Sequence, residues 1–270
     1  MKPDLINTFV HLSVWGLLVI AYSVRFFVWG RAESDRVNHD GTSLLIGKGL
    51  KEMVYWGLQP VGKLLAFFRI KPNSVSLISL IFGLITGICF YYGHFGTAAV
   101  FAVICAFMDT LDGMVARFLG LVSDAGAVMD SSIDRYTEFF CLAGLALYYR
   151  EMPVVLGIIL LSLLGSFMVS YSSAKAEALG STPPRGHMRR TDRAFCLIAG
   201  SVFSSISITL IEPNGIFPVP IGYPMVFSLI LIAVFSNISA IERLIAVARS
   251  TKNSKQQLST ETGGDYANVT

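Results

Sequence analysis

Apolar runs close to twenty residues long, broken by short polar stretches, occupy most of the chain. They fall at 5–30, 75–93, 97–118, 125–148, 153–178, 193–211 and 221–247, each near the ~20 residues that cross a bilayer as a helix. Seven spans are expected. The first run is interrupted only by His11 and Arg25, follows a single basic residue, Lys2, and ends without a small-residue cleavage site. It therefore reads as an uncleaved membrane helix and not as a secretory signal. Trp15, Tyr22 and Trp29 are its expected interfacial anchors, and His11 reads as a tolerated core or interfacial residue. Lys71-Pro72-Asn73-Ser74 marks a later helix start, with Asn73 or Ser74 as the expected cap.

Between the first two runs the pattern changes. Residues 31–43 are polar and loop-like. Leu50, Met53, Val54, Gly57, Val61, Leu64, Leu65 and Phe68 then recur at i, i+3, i+4, i+7 spacing, while Lys48, Lys51, Glu52, Gln59, Lys63 and Arg69 gather on the opposite side. That is the pattern of an amphipathic helix lying in the headgroup region, with a kink expected at Pro60. Residues 250–270 carry no apolar period and read as a disordered tail.

Composition agrees with the pattern. With 53% hydrophobic and 14% charged residues, the chain is too apolar for a soluble domain of its size and reads as an all-α, polytopic membrane protein. The net charge of +3 matters less than its distribution. Lys and Arg concentrate in 31–71, in the turn after Arg117, between Lys175 and Arg193, and from Arg243 onward; the alternate loops hold only Lys2 and Arg150. The positive-inside rule puts the first set in the cytoplasm and the N-terminus outside. Cys89, Cys105, Cys141 and Cys196 lie in apolar segments without ligand or pairing spacing and read as packing residues. No nucleotide-binding glycine loop or Ser/His/Asp arrangement is present, and no nucleic-acid partner is expected.

Carboxylates inside this apolar background supply the candidate chemistry. Asp109 and Asp112, then Asp130 and Asp134, fall at helical spacings. On a helix, Asp109, Asp112, Gly113, Ala116 and Arg117 share an arc of roughly 140°, and Gly126, Asp130 and Asp134 one of roughly 80°. Two antiparallel helices can aim all four acids at one point. Facing lipid, each charged group costs ~2.5–3.5 kcal/mol, so the four acids with Arg117 and Arg135 would cost on the order of 15–20 kcal/mol. They must face a cavity, a metal or one another. Convergent aspartates suit Mg²⁺, Mn²⁺ or Ca²⁺ better than zinc, and two such ions can clamp a pyrophosphate for displacement at phosphorus. Small-residue helix packing is the competing use of Gly113, Ala116 and Gly126. A cation channel, ion transporter or proton relay also buries acids and stays open on these grounds.

The order Asp109-x2-Asp112-Gly113-x2-Ala116-Arg117-x8-Gly126-x3-Asp130-x3-Asp134 resembles, at every fixed position, the signature of the CDP-alcohol phosphotransferases. The resemblance extends over residues 44–249, leaving 1–43 as an extra N-terminal transmembrane helix with its loop and 250–270 as a tail. It implies a six-helix core. The reaction it implies is attack by an alcohol on the β-phosphorus of a CDP-linked lipid, with release of CMP and two Mg²⁺ or Mn²⁺ ions as cofactors. By the same resemblance Asp109, Asp112 and Asp130 ligate metal, with Asp134 contributing, and Asp134 is the general base. Gly113, Ala116, Arg117 and Gly126 would line the CDP site. A homodimer in the membrane is the implied assembly.

Residues 170–193 add a basic segment, with Lys175, Arg185, Arg189, Arg190 and Arg193, as the site of an anionic acceptor would have. The stretch is similar to the subfamily that makes phosphatidylinositol phosphate or archaetidylinositol phosphate, although Ser173 stands where those enzymes often carry a basic residue and Arg189 where an acid is usual. On that likeness Ser170, Arg190, Arg193 and Arg243 would hold an inositol phosphate. Glycerol phosphate, serine and other polar alcohols are the alternative acceptors.

Overall fold

The structure, a computed structural model, describes residues 3–32, 45–181, 186–211 and 219–265. Among them are eight helices: α1 (Pro3–Trp29), α2 (Lys48–Phe67), α3 (Pro72–Tyr91), α4 (Phe95–Phe118), α5 (Asp124–Tyr148), α6 (Pro153–Ala178), α7 (Arg190–Leu210) and α8 (Tyr223–Asp265). Six of them (α1, α3, α4, α6, α7 and α8) are long and apolar enough to cross a membrane. α5 matches them in length, with 25 residues, but carries Asp124, Asp130, Asp134, Arg135 and Glu138. It takes its place by packing against α3 and α6. The molecule is a multi-pass membrane protein with a six-helix core (α3 to α8), an added N-terminal helix and an amphipathic helix.

The α3–α5 contact is close because both helices lack side chains where they cross. A Cβ on Gly144 would lie 2.0 Å from the carbonyl oxygen of Gly87, and one on Gly87 would lie 2.3 Å from that of Phe140. Backbones meet directly there, as small residues permit between membrane helices. Phe90, Phe95, Leu142, Leu145, Ile159 and Leu229 fill the same end of the bundle. Tyr149 is buried among them and donates to the Ile221 carbonyl at 2.5 Å. The other ends of α4 and α5, ~20–28 Å away at 1.5 Å per residue, hold the acids.

Several helix boundaries differ from those expected. α3 begins at Pro72 with Lys71 as its cap residue, and not with Asn73 or Ser74, because proline at the first helical position has the required φ and no N–H left unpaired. α8 runs to Asp265, past residue 250 where composition predicts an unstructured tail. No proline interrupts that stretch, and the first strong helix breakers, Gly263 and Gly264, stand at its end. The loop expected at 31–43 lies largely outside the described residues.

α2 forms where the periodicity places it, but its faces are rotated. Glu52, expected on the polar side, is only 1% exposed, whereas Leu64, Phe67 and Phe68 are exposed. Two surfaces flank α2. Leu58 packs with Leu111 and Met114 of α4 and Val75 of α3, while Glu52 receives the Tyr22 hydroxyl of α1 at 3.4 Å and lies 3.9 Å from Lys48 Nζ. A helical wheel that assumes water opposite the core cannot foresee the second packed face.

α1 is bound to the core mainly at its first turn. Asp4 accepts from the backbone N–H groups of Gly96 and Thr97 at 2.9 and 2.8 Å, and from Ser205 Oγ at 3.1 Å. A carboxylate thereby satisfies the unpaired donors at the start of α4 and meets the positive end of its dipole. Thr8 and Ser205 join hydroxyls at 2.8 Å behind it. Tyr22 and Trp15 pack on Trp56 and Phe107, with ring centroids 5.8 and 5.9 Å apart.

Candidate active site

The ends of α4 and α5 bring together the acids that spacing singles out. One carboxylate oxygen from each of Asp109, Asp112 and Asp130 lies within 4.8 Å of the other two. Asp112 is buried and accepts from Ser76 Oγ of α3 at 2.5 Å, which fixes its orientation. Three carboxylates without His or Cys form a hard oxygen donor set, which fits Mg²⁺ or Mn²⁺.

Asp134 lies outside that trio. Its Oδ2 is 2.5 Å from Arg190 Nη1, and the same nitrogen donates to Asp109 Oδ1 at 2.9 Å. Arg190, expected to hold the acceptor, is thus engaged with the acids, and it bridges Asp134 to one member of the trio. A cavity of about 60 Å³ reaches inward from this pair, bounded by Asp134, Glu138, Arg190, Cys105 and Cys141.

Arg193 is deeper still. It is 2% exposed, and its Nε and Nη2 donate to the two oxygens of Glu138 at 2.5 and 3.0 Å. Nη1 is buried without a hydrogen-bond partner. Arg243 donates through Nη1 to Ser173 Oγ at 2.7 Å, and its Nε is likewise buried and unpartnered. Arg193 and Arg189 are its electrostatic neighbours. Ser170 sits half-buried one turn before Ser173 on α6. Arg185 lies outside the described residues.

The residues assigned to CDP follow Asp112 along α4 and precede Asp130 on α5. Gly113 and Ala116 are half-buried on α4, and Arg117 is exposed with Nη2 donating to Tyr55 OH at 2.9 Å. Gly126 lies in the first turn of α5, where its N–H is accepted by Ser123 Oγ at 3.1 Å. A Cβ there would meet only that hydroxyl, so the space beside it is open.

Sequence reasoning missed Ser76, Tyr55, Glu138 and Asp192. Glu138 carried a signal, since it continues the i+4 series of Gly126, Asp130 and Asp134. Asp192 is fully buried in the first turn of α7 and accepts from the backbone N–H of Arg189 at 3.1 Å and of Leu45 at 3.0 Å. It ties the chain before α2 to the start of α7. Ser76 and Tyr55 lie 36 and 62 residues from their partners and left no local signal.

A carboxylate trio held between α4 and α5 of a polytopic helical bundle is a hard-oxygen site of the kind metal-dependent phosphoryl transfer uses. A family model described as CDP-alcohol phosphatidyltransferase matches residues 69–249, and the chain belongs to that family. Among its relatives is an archaetidylinositol phosphate synthase of Pyrococcus horikoshii, 36% identical over 152 residues, covering 56% of this chain and 79% of the relative. A phosphatidylinositol phosphate synthase of Corynebacterium glutamicum is 32% identical over 150 residues, covering 53% and 68%. The crystal structure of Mycobacterium tuberculosis phosphatidylinositol phosphate synthase in complex with manganese and citrate superposes with a TM-score of 0.61 at 25% identity, covering 70% of this chain and 88% of that one.

Proposed function

We propose that this chain transfers a phosphatidyl group, or a similar lipid phosphate, from a CDP-lipid to a hydroxyl of inositol phosphate, releasing CMP. The observation that carries the choice of acceptor is a pair of buried, unpartnered guanidinium donors. Arg193 Nη1 and Arg243 Nε have no hydrogen-bond partner, and Arg189 adds a third positive charge beside Arg243. Buried N–H groups and like charges so arranged are stabilised by an anion, as the phosphate of the acceptor would be. The names of the relatives favour inositol phosphate among anionic alcohols.

Asp109, Asp112 and Asp130 would hold Mg²⁺ or Mn²⁺, which when bound neutralises the charge of the donor pyrophosphate. Asp134 is the group assigned to take the proton from the attacking hydroxyl. Arg190 holds its carboxylate against that of Asp109, so base and ligand keep a fixed separation. Arg117 is assigned to a donor phosphate, with Gly113, Ala116 and Gly126 leaving room for the nucleotide. The transferase domain is taken as 44–249, because α2 packs on α4 even though the family match begins at 69. The distribution of Lys and Arg favours a cytoplasmic site, and the family likeness favours a homodimer.

Purified full-length protein with CDP-diacylglycerol, Mn²⁺ or Mg²⁺ and a panel of acceptors tests this reading. CMP should be released with inositol phosphate and not with inositol or serine. Arg243→Ala should raise the KM for inositol phosphate at least tenfold while sparing that for the donor. CMP release with glycerol phosphate alone would replace the acceptor, and no release with any acceptor would overturn the enzymatic reading.

A further inference from the structure

α1 and α2 both lie before the residues matched by the family model, yet they meet the assigned donor site at one point. Tyr55 of α2 accepts from Arg117 Nη2 at 2.9 Å. Arg117 is exposed at the last turn of α4, and a long side chain there loses substantial rotamer entropy whenever it is fixed on a phosphate. A contact already made in the free protein removes part of that loss.

Tyr55 can serve as that contact only if α2 is itself held, and it is held from both sides. Toward α4, Leu58 is buried against Leu111 and Met114. Toward α1, Tyr22 packs its ring against Trp56, the residue after Tyr55, at a tilt of 56°, and a Cβ on Gly57 would come within 2.9 Å of Leu18 Cδ1. α1 in turn is fixed to the start of α4 by Asp4. α2 is thus wedged between α1 and the helix that carries Asp109, Asp112 and Arg117.

We propose that Tyr55 is a positioning residue of the donor site, holding the Arg117 guanidinium in place for a CDP-lipid phosphate, and that the added helix α1 keeps Tyr55 there through its contact with α2. This rests on the assignment of Arg117 to the donor. It gives α1 a role in donor affinity besides membrane anchoring. Tyr55→Phe removes one hydroxyl and keeps the ring, so packing of α2 is retained.

The test is CDP-diacylglycerol binding by calorimetry with Mn²⁺, alongside steady-state kinetics, on full-length protein in nanodiscs. Tyr55→Phe should weaken donor binding by about three- to tenfold, the range left to a hydrogen bond on an exposed guanidinium after solvent screening. The KM for inositol phosphate should stay unchanged. In an Arg117→Ala background Tyr55→Phe should have no further effect, as expected of a residue acting through Arg117. Tyr22→Ala should weaken donor binding in the same direction, and only while Arg117 is present. Wild-type affinity in Tyr55→Phe, or a loss that persists without Arg117, overturns the proposal. A wild-type protein that binds no CDP-lipid and releases no CMP overturns the parent reading instead, and the two failures are told apart by that control.

Discussion

Glu138 and Arg193 meet fork to fork inside the bundle, with both carboxylate oxygens engaged by Nε and Nη2 at 2.5 and 3.0 Å. The pair joins α5, which carries Asp130 and Asp134, to α7, which carries Arg190. Planar bidentate pairing fixes the orientation of the guanidinium as well as its position, and so determines where the remaining nitrogen, Nη1, points.

Glu138→Ala should therefore destabilise the protein by about 3 kcal/mol or more, because it leaves a buried guanidinium without its counter-charge. Glu138→Asp should recover part of this loss. Unfolding by SDS, followed by circular dichroism, measures the change. A Glu138→Ala protein as stable as wild type would mean that Arg193 finds another partner.

The separation of Asp134 from the carboxylate trio predicts two phenotypes within one motif. Asp109→Asn, Asp112→Asn and Asp130→Asn should each weaken Mn²⁺ binding, read by electron paramagnetic resonance. Asp134→Asn should leave Mn²⁺ and CDP-lipid binding measurable while lowering kcat by about 10²-fold or more. Loss of Mn²⁺ binding in Asp134→Asn would return that residue to the ligand set.

Where α3 crosses α5, Gly144→Ala puts a methyl group 2.0 Å from a backbone oxygen, and backbone cannot yield as a side-chain tip can. We expect destabilisation of about 2–3 kcal/mol or more, with loss of Mn²⁺ affinity as α5 shifts. Gly157→Ala, where a Cβ meets nothing within 4 Å, is the control and should leave both unchanged. Equal behaviour of the two variants would contradict the crossing geometry.

Asp4→Ala should lower stability by about 1–2 kcal/mol, the size of a lost helix cap together with its charge at the dipole. Asp4→Asn should retain part of the stability, since the amide oxygen still accepts. Thermal unfolding in detergent distinguishes the three proteins, and an unchanged midpoint in Asp4→Ala would show that α1 is held elsewhere.

The acid motif was legible because its signal is local and strong: four aspartates at helical spacing where lipid would penalise each one. The helices were legible for the same reason, in apolar runs of spanning length. What stayed hidden depends on residues far apart in the chain. Arg190 and Arg193 look alike in a basic segment, and only the fold shows that α5 presents Asp134 to one and Glu138 to the other. Glu52 was placed on the wrong face because α1 covers it, and α1 lies outside the family pattern. Cap residues at Lys71 and Asp4 followed proline geometry and tertiary approach, which neighbouring sequence does not encode.

The glycine crossing of α3 and α5 also bears on how the protein is made. α5 has too many charges to partition into lipid by its own hydropathy, so its residence in the bilayer depends on a docking surface. That surface belongs to α3, which leaves the ribosome earlier and is apolar enough to insert unaided. The order of synthesis is thus the order in which support becomes available: the glycine face that fits α5 belongs to a helix made before it.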